Sequence, residues 1–186
     1  MIIEFVLSTS IANAQNNNAC NGGSYSIIHS PNGATLSVLF DHFVVESGGS
    51  TPNSLSTRTC TLDIPLALPD GYSLGIYRVD YRGFAQLSDK QFFELSVLYN
   101  LGESSNGRRF QRKLKDAYSA NFLFTENIGA GLMKHVGCGE NAKLSVSLAL
   151  SIDGKASSSL AMAGLDSLDG APHGGLVYHF EYKKCR

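Results

Sequence analysis

The sequence predicts an all-β fold: a two-layer antiparallel β-sandwich, jelly-roll or Ig-like, with about nine to ten strands and two disulfides. Three observations carry this expectation. Apolar residues alternate with polar ones at period two through most of the chain. Turn signals built on Pro, Asn and Gly separate the alternating runs. The composition, 186 residues with 19 Gly and no Trp, suits a turn-rich β protein of one domain.

The elements follow in order. Residues 1–14 close on Ala12-Asn13-Ala14, small residues at the spacing a signal peptidase accepts, and read as a secretory leader. It is a short one, with Glu4 inside its apolar stretch and no Lys or Arg ahead of it. The domain is then 15–186, beginning with a polar tail that Cys20 ties down. Ser24 to His29 forms a short strand, and Ser30-Pro31-Asn32-Gly33 a turn. Leu36, Val38 and Phe40 alternate in a strand that runs on through Val45, and Gly48 to Ser56 is loop. Cys60 to Leu66 follows, with Leu62, Ile64 and Leu66 on one face. Pro65 cannot donate to a ladder and calls for an edge or a bulge. Pro69-Asp70-Gly71 turns into the longest run, Tyr72 to Leu87.

Phe92 to Leu101 and Arg108 to Tyr118 read as the arms of a hairpin, although Arg112 to Ala120 also has the makings of a short helix. Asn121 to Glu126 is a strand, and the glycine-rich Ile128 to Gly139 a loop. Leu144, Val146, Leu148 and Leu150 give the cleanest alternation, Ser157 to Leu165 a weaker one, and Leu176 to Tyr182 the last strand.

The four cysteines, Cys20, Cys60, Cys138 and Cys185, all follow the leader. An even number in an exported chain favours disulfides. Their wide spacing, without a Cys-x-x-Cys pair, argues against zinc, so no metal or cofactor is expected. Four cysteines allow three connectivities. By this reading Cys60 opens a strand and Cys185 closes the last one, as antiparallel neighbours would, which pairs Cys60 with Cys185 and leaves Cys20 for Cys138.

Fifteen Lys and Arg against 16 Asp and Glu give a net charge of -1, which removes the electrostatic term behind general nucleic-acid binding. No apolar run approaches the ~20 residues of a membrane-spanning helix.

Several segments resemble a known family. Thr35 to Phe43, Arg58 to Leu62, Pro69 to Tyr72 and above all Val79-Asp80-Tyr81-Arg82-Gly83-Phe84-Ala85-Gln86-Leu87 are similar to the family catalogued as domain of unknown function 4360, small exported proteins of bacteria and fungi. The likeness resumes at Cys138-Gly139, at Asp166 to Gly170 and from Tyr178 to Cys185, and so covers most of the mature chain. It implies secretion and a cysteine framework, and it implies no activity. Two features depart from the family pattern: Tyr182 stands where Trp is usual, and the basic stretch after Gly107 is atypical.

Two constellations are candidate binding sites. Asp80 and Arg82 project from one face of a strand, with Tyr81 and Phe84 beside them, either as a ligand-binding floor or as a structural bridge fixing register. Arg108, Arg109, Arg112, Lys113 and Lys115 concentrate positive charge where phosphate, anionic polysaccharide or an anionic membrane surface would meet it; the alternative is a charged edge strand that deters aggregation. No Gly-x-Ser-x-Gly elbow and no His-Glu-x-x-His pair occurs, and no catalytic residue is assigned. Asp166, Asp169 and Gly170 lack EF-hand spacing.

The expected protein is therefore secreted, extracellular or periplasmic, and more a non-catalytic binder of a glycan, cell surface or protein partner than an enzyme. The competing readings are a small exported hydrolase with a non-local catalytic site and a structural or coat-associated protein.

Overall fold

The computed structural model describes residues 18–20, 24–48, 55–103, 107–129, 134–139, 142–154, 159–165 and 175–186. The chain is all-β, in two antiparallel sheets. The smaller sheet has the order β4 (Leu55–Pro65), β10 (Lys143–Asp153), β6 (Phe92–Leu101), β7 (Arg108–Lys115). The larger sheet is built on β5 (Tyr72–Leu87), the longest strand. One edge of β5 takes β12 (Gly175–Lys184) along Tyr72 to Arg82 and then β11 (Ala161–Gly164) along Phe84 to Gln86. The other edge takes β9 (His135–Gly137) along Ser73 to Gly75 and β8 (Tyr118–Asn127) along Arg78 to Leu87. Beyond β12 lie β2 (Thr35–Phe40) and β1 (Tyr25–His29), and beyond β11 lies β3 (Val44–Ser47).

Period-two alternation turns one face of each sheet inward. From the larger sheet Leu36, Val38, Val79, Tyr81, Leu176 and Tyr178 are fully buried, and from the smaller Phe93, Leu95, Val97, Leu144, Val146 and Leu150 meet them. Burying each such side chain stabilises the fold by about 1.5–3 kcal/mol before conformational entropy is counted. Gly83 sits on the same inner face of β5, where an added Cβ would come within 2.0 Å of the Gly164 carbonyl oxygen and 2.8 Å of the Phe122 ring. The Arg-Gly-Phe step of the sequence thus marks a close approach of β11 and β8 to β5. Pro65 ends β4, which is an edge strand, so its missing N–H removes no ladder bond.

The sandwich expected from alternation is the fold that forms, with twelve strands among the described residues in place of nine or ten. One extra strand is β9, inside the stretch expected to be loop; its three residues pair with the start of β5 despite the neighbouring glycines. The helical alternative for 112–120 is not taken. Phe110, Arg112 and Leu114 share a face of β7, and the Arg112 guanidinium lies 4.7 Å over the Phe110 ring, so an arginine covers the inward face where alternation led one to expect an apolar residue. Asp116, at φ 63°, then turns the chain from one sheet into the other.

The cysteine pairing is corrected. Cys20 bonds Cys60 and Cys138 bonds Cys185, so neither Cys60–Cys185 nor Cys20–Cys138 forms. Cys60 lies in the middle of β4, not at its start, and the N-terminal segment runs alongside, with Ala19 N donating to Thr59 O at 2.7 Å. Cys138 and Cys185 follow β9 and β12, the two strands that flank the beginning of β5. Cys185 N donates to Gly71 O at 2.8 Å, which holds the second bridge across that strand end. The leader over 1–14, residues 104–106 between the hairpin arms and the Asp166–Gly170 segment lie outside the described residues.

Peptide mapping without reduction should recover Cys20 linked to Cys60 and Cys138 linked to Cys185. Replacing Cys138 and Cys185 together by Ala should cost about 2–4 kcal/mol in urea unfolding. A thiol free to alkylate in the oxidised protein would contradict the pairing.

Candidate functional site

Tyr81 of β5, Tyr99 of β6 and Arg108 of β7 converge from both sheets on one carboxylate, Glu126 at the end of β8. Glu126 faces Val79 in register and shares its strand face with Phe122 and Phe124. Its Oε2 accepts from the Tyr81 hydroxyl at 2.9 Å and from the Tyr99 hydroxyl at 3.2 Å, and its Oε1 from Arg108 Nε. Burial raises the Tyr81 and Tyr99 hydroxyls far above their ordinary range, and the Glu126 charge adds to it, so both remain neutral donors. Tyr81 also stacks on Phe110, with ring centroids 4.0 Å apart, and Tyr99 meets Tyr178 edge-on at 5.8 Å. A buried carboxylate is tolerable only when its lone pairs are filled, and this one takes a donor from each sheet.

Above this junction a cleft of about 430 Å³ opens between the sheets. Ile76, Leu101 and Ile128 give it an apolar floor, Tyr99 and Asn100 a wall, and Arg108, Arg109 and Lys134 a cationic rim. A Cβ at Gly107 would sit 2.5 Å from Asn100 Oδ1, so that side-chain end would have to move aside. That oxygen is buried and without a hydrogen-bond partner among the described residues. Arg108 is committed to Glu126. Arg109 and Lys134 have no carboxylate partner among the described residues, so the rim carries a positive field over an apolar floor. Such a cleft can hold an anion that also presents an apolar face.

The basic run is therefore divided by strand phase. Lys113 pairs with Glu94 at 2.7 Å, Arg112 covers Phe110, Lys115 stands opposite Phe92, and only Arg108 and Arg109 reach the cleft.

The Asp80 constellation lies on the outer face of the larger sheet, and its composition differs from the one expected. Asp80 is fully buried, and its cation is Arg78. Arg78 Nε donates to Oδ1 at 3.0 Å and Nη2 to Oδ2 at 2.8 Å, Thr125 Oγ1 donates to Oδ1 at 2.7 Å, and His179 Nε2 lies 3.0 Å from Oδ2. Burial alone would raise the Asp80 carboxyl, but the hydrogen bonds from Arg78, Thr125 and His179 outweigh it and hold the group below its ordinary range. An ionised carboxylate only accepts, so Nε2 of His179 carries the proton. Arg82 projects from the same face, whereas Tyr81 points inward to Glu126; Phe84 is buried beside Gly164. Asp80, Arg82 and Tyr81 thus do not form one floor.

Sequence reasoning missed Glu126, Tyr99, Asn100 and Lys134. For Glu126 a signal existed: a carboxylate in phase with Phe122 and Phe124 on an apolar strand face. Lys134 follows a glycine-rich stretch with no periodicity to place it. Among the described residues, no group of three or more His, Cys, Asp or Glu is arranged to hold a metal ion.

The family comparison matches residues 9–185, a span that includes every cysteine of both bridges. The chain belongs to the family described as domain of unknown function DUF4360. It is also similar to an uncharacterized secreted protein of Arthroderma benhamiae, 29% identical over 68 residues. That stretch is 37% of this chain and 28% of the fungal protein, so the similarity spans under a third of that relative.

The Asp80 cluster makes stability acid-sensitive. Its folded pKa is depressed, so its contribution is complete above the unfolded value of about 4 and is lost as pH falls through the folded value. Unfolding curves between pH 2 and 7 should show this acid limb, and Asp80→Asn should flatten it. Asp80→Ala should cost about 3 kcal/mol, the low end for breaking a buried pair, because the Arg78 side chain is 39% exposed. An unchanged acid limb in Asp80→Asn would assign it to other carboxylates.

Proposed function

We propose that this DUF4360 member is a secreted, non-catalytic binding module whose cleft takes a carboxylate-bearing saccharide outside the cell. Residues 1–14 act as the leader, and 15–186 form the single sandwich domain. Secretion is supported by the two bridges, which persist in oxidising compartments, and by the name of the fungal relative.

The observation that carries the binding role is the rim of Arg109 and Lys134, neither with a carboxylate partner among the described residues, over the apolar floor of Ile76, Leu101 and Ile128. A sugar carboxylate satisfies the cations, and a ring face set on the apolar floor excludes water around them. A free phosphate meets the cations but has no apolar face to set against the floor.

The hydrolase reading draws on the Asp80–His179 pair, which has the spacing of a base and its orienting carboxylate. Thr125, the hydroxyl bonded to that pair, donates to Asp80 itself, so its proton is held by the carboxylate and not by the histidine that would have to remove it.

Aldobiouronic acid, a uronic acid joined to one xylose, should shift the amide resonances around Arg109 and Asn100 in an NMR titration, and xylobiose should not. Arg109→Ala with Lys134→Ala should weaken the acidic sugar at least tenfold, equivalent to about 1.4 kcal/mol. Equal response to both sugars, or an unaffected double variant, would overturn the proposal, and release of xylose would favour the hydrolase.

A further inference from the structure

The outer face of the smaller sheet carries a second feature, a shallow groove of about 280 Å³ that shares Arg109 with the cleft. We infer that the groove is a continuation of the cleft and that the ligand is a linear, largely neutral polysaccharide chain bearing a carboxylate at the residue held in the cleft. This rests on the cleft binding an acidic sugar, and adds the chain beyond it.

Strand register dictates the groove's chemistry. Arg109, Leu98, Ser147 and Thr61 are cross-strand partners in one row over all four strands, and Gln111, Ser96, Ala149 and Thr59 form the next row. At about 4.8 Å per strand the first row spans roughly 14 Å, enough for a short oligosaccharide. Neither row contains a carboxylate. Beyond Arg109 and Gln111 on the edge strand, their side chains are four short hydroxyls, Ala149 and one half-buried leucine, which suits hydroxyl-rich rings with an apolar face.

The rows on either side are acidic and already engaged. Asp63 accepts from Ser145 and lies 3.7 Å from Lys143, and Glu94 is held by Lys113 and Gln111. A polyanion laid along the groove would be flanked by these carboxylates, and the two rows themselves offer it one cation, Arg109. A neutral chain needs no more. The one cation at the end of the row, shared with the cleft, therefore marks where the acidic residue sits.

The test extends the sugar series from aldobiouronic to aldopentaouronic acid, measured by calorimetry on the whole protein. Expected is a gain of at least tenfold from the shorter to the longer sugar. Ser147→Gln, an exposed substitution that fills the middle of the row, should return the longer sugar to the affinity of the shorter and leave the shorter unchanged. Thr61→Ala with Ser147→Ala should remove part of the gain without filling the space. Equal affinities for the two lengths in the unaltered protein would overturn the groove and leave the cleft standing. A length gain that survives both variants would place the chain elsewhere and equally overturn it. Absence of binding by either sugar would mean the cleft reading has failed, and the groove with it. A hexamer of galacturonic acid that binds more tightly than aldopentaouronic acid would refute the neutral-chain assignment.

Discussion

A strand hydrogen-bonded along both edges cannot slip, and β5 is held in this way over most of its sixteen residues. Because side chains alternate with period two, a shift of one position would turn Val79 and Tyr81 outward and bring Arg78, Asp80 and Arg82 into the core. The cost of burying those charges without partners fixes the register far more firmly than backbone bonding does. Both polar clusters follow from it. Residues of even number between Arg78 and Arg82 supply the outer Asp80 cluster, and Tyr81, between them, supplies the inner link to Glu126. The Cys138–Cys185 bridge joins the two strands flanking the same β5 at its start, where the ladder would otherwise fray.

The Glu126 junction transfers this register to the opposite sheet. Its donors come from β5, β6 and β7, so the carboxylate ties the rotation of the edge strand β7 to the centre of the larger sheet. With Arg108 pinned inward, alternation obliges Arg109 to face outward, at the lip shared by cleft and groove. Replacing such a junction with apolar side chains is often neutral or stabilising in energy. What an apolar replacement would not retain is the phase of β7, and with it the position of the free cation.

Much of the fold was legible in the sequence because alternation, turn chemistry and glycine placement agree over most strands. The failures have particular causes. Cys60 reads as a strand start because the positions in phase with it on β4, Ser56 and Arg58, are polar, so the first half of this edge strand carries no apolar alternation. The partner of Cys185 depends on which strands flank β5, a non-local fact that spacing does not encode. Arg112 hid the phase of β7 by occupying an inward position through its contact with the Phe110 ring. The site was half legible. Charge density pointed to Arg108 and Arg109, while Asn100 and Lys134 reach the cleft only through the meeting of the end of β6 with β9, where Gly102 approaches Val136.

The net charge of -1 and the basic run suggested opposite things about partners, and the structure reconciles them residue by residue. Of the run, Arg108 is neutralised by Glu126, Lys113 by Glu94, and Arg112 lies against an aromatic face. An anionic membrane or a polyphosphate is recognised through many cations acting together, each worth about 1 kcal/mol near a charged surface. Arg109 and Lys115, the other two, have no ion-pair partner among the described residues, and they stand three rows apart on β7, too few and too far to supply that sum. What the run supplies at the cleft is one outward arginine beside a lysine from a different segment, at the end of a hydroxyl-lined face. That arrangement discriminates by hydrogen-bond geometry more than by total charge, so recognition falls to a ligand with few charges and many hydroxyls.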